Sequence, residues 1–161
     1  MVKIFLLKGL IFMSDYIVYT DGSCLGNPGA GGYAAIIVDC ETGEIVNFCG
    51  GEKHTTNNRM EMTAAIVALD NIPTGSSVEI FTDSAYLKNT FTKNWIVNWK
   101  RNGWRTSSNS PVLNQDLWIK LDNFMMTHEV TFNFVKGHSG DTYNERCDQM
   151  ARAEAEKFKR S

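Results

Sequence analysis

The strongest constraint this chain places on its own fold is the setting of four acids, Asp21, Glu61, Asp83 and Asp148. They lie in YTDGSCLGNPG (residues 19–29), TTNNRME (55–61), IFTDS (80–84) and NERCDQMA (144–151), contexts that suit an ordinary surface carboxylate poorly. Four carboxylates gathered from distant parts of a small domain are costly to hold together unless cations neutralise them. Hard divalent ions of the magnesium type take oxygen ligands, and a pair of them can drive in-line attack on a phosphodiester. The acids therefore point to metal-dependent phosphodiester hydrolysis, and to a fold that converges on one acidic centre.

A chain of 161 residues is long enough for one domain with its own core. Its net charge of −2 hides an asymmetry. No acid occurs from residue 84 to 115, while Lys88, Lys93, Lys100, Arg101 and Arg105 contribute +5, so the remainder carries −7. A basic segment beside an acidic body suits a protein that grips a nucleic-acid backbone with one part and holds metal with another. The four cysteines (Cys24, Cys40, Cys49, Cys147) and three histidines (His54, His128, His138) form neither C-x-x-C pairs nor a zinc pattern. Reduced thiols in a cytoplasmic protein are the simplest account.

Residues 1–12 include most of the apolar run VKIFLLKGLIFM, which ends at Met13. It is too short for a bilayer span, which takes about 20 residues, and no small-residue cleavage site follows it. Residues 1–13 read as a dispensable extension or strand-like tail, and 14–161 as a single catalytic domain.

Residues 16–20 are β-branched and aromatic, hence a strand ending at Asp21. GNPGAGG (26–32) turns into a second strand, 33–38, and ETG (41–43) into a third, 45–50. Short turns make these three an antiparallel meander. Residues 57–70 form a helix apolar nearly all round, hence mostly buried. A fourth strand, 78–82, is reached through that helix and so runs parallel to a neighbour. Short helices fill the basic segment, a helix spans about residues 112–126, and a fifth strand covers 129–135. The loop KGHSG (136–140) leads to a last helix, with Thr142 and Glu145 as its capping box. The expected architecture is α/β, a five-stranded mixed sheet with helices on both faces.

Each candidate has a plain structural alternative. Asp21-Gly22 could be a hairpin turn. Asn58-x-x-Glu61 fits a capping box, although Glu61 shares a helical stripe with Ala65, Ala68 and Ile72. Asp83 could cap the helix that follows it, and Asp148 could be the solvated edge of an alanine face. His138 is either a loop histidine without function or a proton carrier, its unperturbed pKa of about 6.5 suiting transfer near neutral pH. The interleaving of Trp95, Trp99 and Trp104 with Lys100, Arg101 and Arg105 allows a buried amphipathic helix, but also phosphate contacts with aromatic packing on sugars or bases.

Taken in order, YTDGSCLGNPG, TTNNRME, TDS, NWKRNGW, VKGHSG and NERCDQMA closely resemble bacterial type 1 ribonuclease H, over about residues 15–158. The resemblance implies a ribonuclease H-like fold and endonucleolytic cleavage of the RNA strand of RNA–DNA hybrids, leaving 3′-hydroxyl and 5′-phosphate ends. By the same resemblance Asp21, Glu61, Asp83 and Asp148 hold two Mg²⁺ ions, for which Mn²⁺ substitutes, and His138 assists proton transfer or product departure. Cys24, Asn27, Asn57 and Asn58 match positions that touch the hybrid's minor groove, where 2′-hydroxyls mark RNA. Thr56 and Asn114 match a pocket for a DNA phosphate. The segment from Trp95 through Trp99, Lys100, Arg101 and Trp104 to Arg105 matches a basic protrusion, with Trp99 against the DNA strand. Two departures stand out: His54 replaces an arginine usual at the phosphate pocket, and Ala85 replaces a longer side chain that reaches the RNA. No membrane association is expected, and the expected state is a monomer. Two alternatives are a DNA nuclease of the same superfamily and an inactive hybrid-binding module.

Overall fold

The structure is a computed structural model that describes residues 4–7, 10–135 and 142–161. Seven strands and five helices follow one another along the described chain. These are β1 (Ile4–Leu7), β2 (Leu10–Met13), β3 (Tyr16–Leu25), β4 (Gly29–Asp39), β5 (Ile45–Thr55), α1 (Asn57–Asp70), β6 (Ser77–Thr82), α2 (Ala85–Thr92), α3 (Trp95–Arg101), α4 (Gln115–Thr127), β7 (Glu129–Phe134) and α5 (Thr142–Arg160). Among the described residues, strands β1 and β2 pair only with each other, as a separate antiparallel two-stranded sheet. The other five form the expected mixed sheet, in the order β5-β4-β3-β6-β7. β3, β4 and β5 are antiparallel, while β6 joins β3 in parallel and β7 joins β6 in parallel.

Strand alternation divides the core. On β4, Ala35 and Ile37 enter the larger cluster with Val18, Met62, Ala65, Leu69, Val78, Ile80, Trp118 and Leu121, which joins the sheet to α1 and α4. Ala34 and Ile36 point the other way and meet Cys147 and Ala151 of α5. Helices thus cover both faces, as their apolar patterns require. Close approach on the α5 side depends on Gly32, where a Cβ would stand 2.2 Å from the carbonyl oxygen of Ala151.

Several boundaries differ from those expected from the sequence. β3 does not end at Asp21 but runs on to Leu25, with Asp21 opposite Ala34. β5 continues past Gly50 to Thr55. In both cases glycines that resemble turn signals lie inside the antiparallel ladder, with Gly32 paired to Gly51. α4 starts at Gln115 rather than near residue 112, because the Val112 N–H donates to the Trp104 carbonyl and Asn114 takes a left-handed φ of 60°. Thr142 is already the first residue of α5 rather than the cap before it.

Candidate active site

Asp21 sits where the sheet opens. β6 pairs with β3 only as far as Tyr19 opposite Phe81, so Asp21 lies two residues beyond the last parallel partner. Asp83 follows the end of β6 directly. This is the crevice at the carboxyl end of parallel strands where α/β sheets place ligands. Asp21 shares a strand face with Ile17 and Tyr19, and Tyr19 stacks on Tyr143 of α5 at 4.8 Å between ring centres. Gly22, the next residue, faces α1. A Cβ there would stand 2.5 Å from the backbone nitrogen of Glu61. The bare backbone lets α1 press against β3 at the place that brings Glu61 to Asp21.

Three structural alternatives disappear here. The cap of α1 is Thr56, whose Oγ1 accepts from the Arg59 N–H at 3.2 Å, so Glu61 is not part of a capping box. The cap of α2 is Ser84, whose Oγ accepts from the Leu87 N–H at 3.1 Å, which leaves Asp83 with no capping duty. Asp21 is not a turn residue either, since it lies inside β3.

One oxygen each from Asp21, Glu61 and Asp83 lies within 4.8 Å of the others, a spacing that could hold a metal ion. Glu61 is only 4% exposed, and its Oε2 is buried without a hydrogen-bond partner among the described residues. Burial pushes the Asp21 carboxyl up to about 7, helped by the charges of Asp83 and Asp148; hydrogen bonds from the Gly22 N–H, at 2.9 Å, and from Glu61 work against the rise. Burial and the charges of Asp21 and Asp83 push Glu61 well above the usual carboxylate range. Without a cation, protons balance the charge that buried Glu61 and half-buried Asp21 cannot carry together. With one, the orphaned Glu61 oxygen gains a partner and the repulsion is neutralised, so the donor set fits a hard divalent metal.

Asp148 stands outside this tight group. Its Oδ2 meets Arg152 Nη2 at 3.2 Å one helical turn along α5, although its charge is felt at Asp21. Beside it in sequence, the Cys147 thiol donates to the Tyr19 carbonyl at 3.3 Å, and burial pushes that thiol up to about 12. His138 lies outside the described residues.

The remaining candidates lie around this centre or in the basic segment. The Asn27 Oδ1 accepts from the Asn57 N–H at 3.1 Å, tying the 26–28 turn to the start of α1 beside Asn58. The Cys24 thiol is turned to the carbonyls of Gly26, Thr55 and Gly29. In the basic segment, Trp95, Asn98, Trp99, Asn102 and Arg105 line one groove. Lys93 lies over the Trp95 ring at 5.3 Å. Trp99 packs inward on Trp118 at 5.9 Å, and Lys100 pairs with Asp122 of α4 at 3.0 Å. Arg101 is exposed, and Trp104 has a left-handed φ of 63°. His54 is exposed near the end of β5, and Ala85 opens α2. Sequence reasoning gave no site role to Gly22, Arg59, Tyr86 or Arg152; only the glycine carries a local signal, a residue without a side chain directly after a half-buried acid.

The sequence profile of the RNase H family matches residues 13–156. The chain belongs to the RNase H family. A ribonuclease H of Ruegeria sp. (strain TM1040) is 50% identical over 153 residues, covering 92% of this chain and 96% of that protein. Among solved structures, LC9-RNase H1, a type 1 RNase H with the type 2 active-site motif, superposes with a TM-score of 0.76 at 31% identity, over 89% of this chain and 72% of the other. LC11-RNase H1, solved in complex with an RNA/DNA hybrid, shares the fold at 22% identity, with a TM-score of 0.64 over 88% of this chain and 97% of the other. The acidic crevice of this RNase H family member therefore sits on the scaffold common to these proteins.

Proposed function

We propose that this chain hydrolyses the RNA strand of RNA–DNA hybrids endonucleolytically, leaving 3′-hydroxyl and 5′-phosphate ends. The observation that carries the reading is the meeting of Asp21, Glu61 and Asp83 within 4.8 Å, one oxygen of Glu61 buried and unpartnered, in a member of the RNase H family. The hybrid as substrate is supported by the relative named ribonuclease H at 50% identity, and by the fold shared with a hybrid-bound protein.

Asp21, Glu61 and Asp83 would hold the cations, and Asp148 would complete the set on leaving Arg152. Two Mg²⁺ ions, replaceable by Mn²⁺, would supply activation of the attacking water and stabilisation of the leaving 3′-oxygen. Glu61 and Asp21, fixed by α1 and β3, need little rearrangement to bind a cation, because their approach is set by backbone packing at Gly22. His138 would move a proton or aid product departure. Cys24, Asn27, Asn57 and Asn58 would read the minor groove, Thr56 and Asn114 would take a DNA phosphate, and the Trp95–Arg101 helix would follow the backbone. His54 and Ala85 loosen this grip without touching the acids. Residues 1–13 would be dispensable to a catalytic domain spanning 14–161 that works as a cytoplasmic monomer; among the described residues no helix is long and apolar enough to cross a membrane.

A labelled RNA–DNA hybrid incubated with the protein and Mg²⁺ tests the reading. Cleavage confined to the RNA strand is expected. Cleavage of duplex DNA would make this a DNA nuclease of the same superfamily, and binding without cleavage would make it an inactive hybrid-binding module.

A further inference from the structure

Resting on the reading of Thr56 and Asn114 as a phosphate pocket, we infer that Arg59 and Tyr86 are positioning residues that turn both pocket groups into outward hydrogen-bond donors. Arg59 takes up acceptor capacity on each side. Its backbone N–H donates to Thr56 Oγ1 at 3.2 Å, and its Nη1 donates to Asn114 Oδ1 at 3.2 Å. A hydroxyl whose oxygen already accepts can still donate its proton, and an amide whose carbonyl is occupied must present its NH₂ group elsewhere. A phosphate oxygen needs such donors. Asp116 fixes the guanidinium with a two-pronged contact, 3.0 and 2.8 Å, so Arg59 is held in place and its charge is balanced.

Tyr86 secures the other end of the amide. Asn114 Nδ2 donates one proton to the Tyr86 hydroxyl at 3.3 Å, which orients the second toward the pocket. That hydroxyl also accepts from Trp118 Nε1 at 2.9 Å, and Trp118 is fully buried. The left-handed backbone of Asn114 costs energy unless its surroundings impose it. Here the Asn114 carbonyl accepts from the N–H groups of Leu117 and Trp118, both at 3.0 Å, while the side chain is held at both ends. Arg59 lies two residues before Glu61 on α1, and Tyr86 three residues after Asp83, so the same two residues set the phosphate grip relative to the acids, Thr56 through the Arg59 backbone and Asn114 through both side chains.

The test compares wild type with Tyr86→Phe, Arg59→Lys and Asn114→Ala. Hybrid affinity is read by anisotropy in EDTA, kcat and KM with Mg²⁺, and tolerance of single methylphosphonates along the DNA strand. Losing one oriented hydrogen bond should raise KM and the dissociation constant roughly three- to ten-fold with kcat within about two-fold. The DNA position most sensitive to a methylphosphonate should lose that sensitivity in Tyr86→Phe and in Arg59→Lys, and Tyr86→Phe should add little in an Asn114→Ala background. Unchanged affinity, or an undiminished methylphosphonate effect in a Tyr86→Phe protein that melts like wild type, would overturn the assignment. A wild type that binds no hybrid would instead sink the functional reading on which it rests.

Discussion

The carboxylates of Asp21, Glu61 and Asp83 stand on the central strands and on the helix packed tightly against them, whereas Trp95–Arg101 and the loop behind it form short elements at the periphery. In the first region like charges crowd together, Glu61 buried, Asp21 half-buried and Asp83 exposed, and the carboxyls of Asp21 and Glu61 answer by holding their protons. In the second, opposite charges and rings answer one another nearer the solvent: Lys100 with Asp122, Lys93 with Trp95. Burial of Glu61, with Asp21 half-buried beside it, makes the acidic region sensitive to a change of charge, because a buried ion costs several kcal/mol unless compensated. Exposure makes the basic region tolerant, since surface pairs are worth about 0–1 kcal/mol each. The contrast is the one that the proposed division between chemistry and grip would require.

The sharpest way to break that contrast is Asp21→Asn or Asp83→Asn. Either should remove nearly all cleavage while leaving metal-free thermal stability equal or higher; cleavage within about tenfold of wild type would refute the site. The pH dependence of metal-free stability separates the regions further. The carboxyl of Asp21 rises from 3.8 to about 7 on folding, so the folded state binds more protons than the unfolded one in between. Its contribution is therefore fully present below the unfolded value and lost as pH rises through about 7. Melting curves from about pH 4 to 8 should show this decline in wild type and a shallower one in Asp21→Asn.

Next in size is His138→Ala, expected to slow turnover by something like 10²-fold, with a changed pH–rate profile. Full activity across neutral pH would return His138 to a loop residue without function.

Replacing Lys100, Arg101 and Arg105 with alanine should act on the other side of the comparison, raising KM far more than it lowers kcat. The slope of log affinity against log salt should shrink by up to about 0.9 for each phosphate no longer neutralised. Because Lys100 already pairs with Asp122 and Arg105 Nη1 donates to the Asn109 carbonyl at 2.8 Å, Arg101 should account for the largest share. An unchanged slope would place the grip elsewhere. The smallest effect is expected from deleting residues 1–12, which should leave activity on the hybrid unaltered; an inactive or insoluble product would show that the extension belongs to the fold.

Helix α1 was legible to the residue, Asn57–Asp70, because its apolar positions run nearly all round and a polar cap region precedes it. The antiparallel meander and the parallel entry of β6 also followed from hydrophobic pattern and connection length. Strand ends at Asp21 and Gly50 were not legible, since a glycine within a ladder and a glycine in a turn look alike until a neighbouring strand is present.

The sequence by itself determined which residue types could meet: four acids in unusual settings, an acid-free basic run, and enough apolar pattern for one mixed sheet. Those properties are local, set by the side chains and their spacing. Only the tertiary structure decided between the roles that each residue could play. Thr56 and Ser84 take the caps, which frees Glu61 and Asp83, and the bare backbone of Gly22 admits α1 to within reach of Asp21. Arg152 holds Asp148, and Arg59 with Tyr86 holds Asn114. A hydrogen bond or an ion pair joins residues far apart in the chain as readily as near ones, so its partner is chosen by packing, and packing exists only once the sheet and its helices have come together.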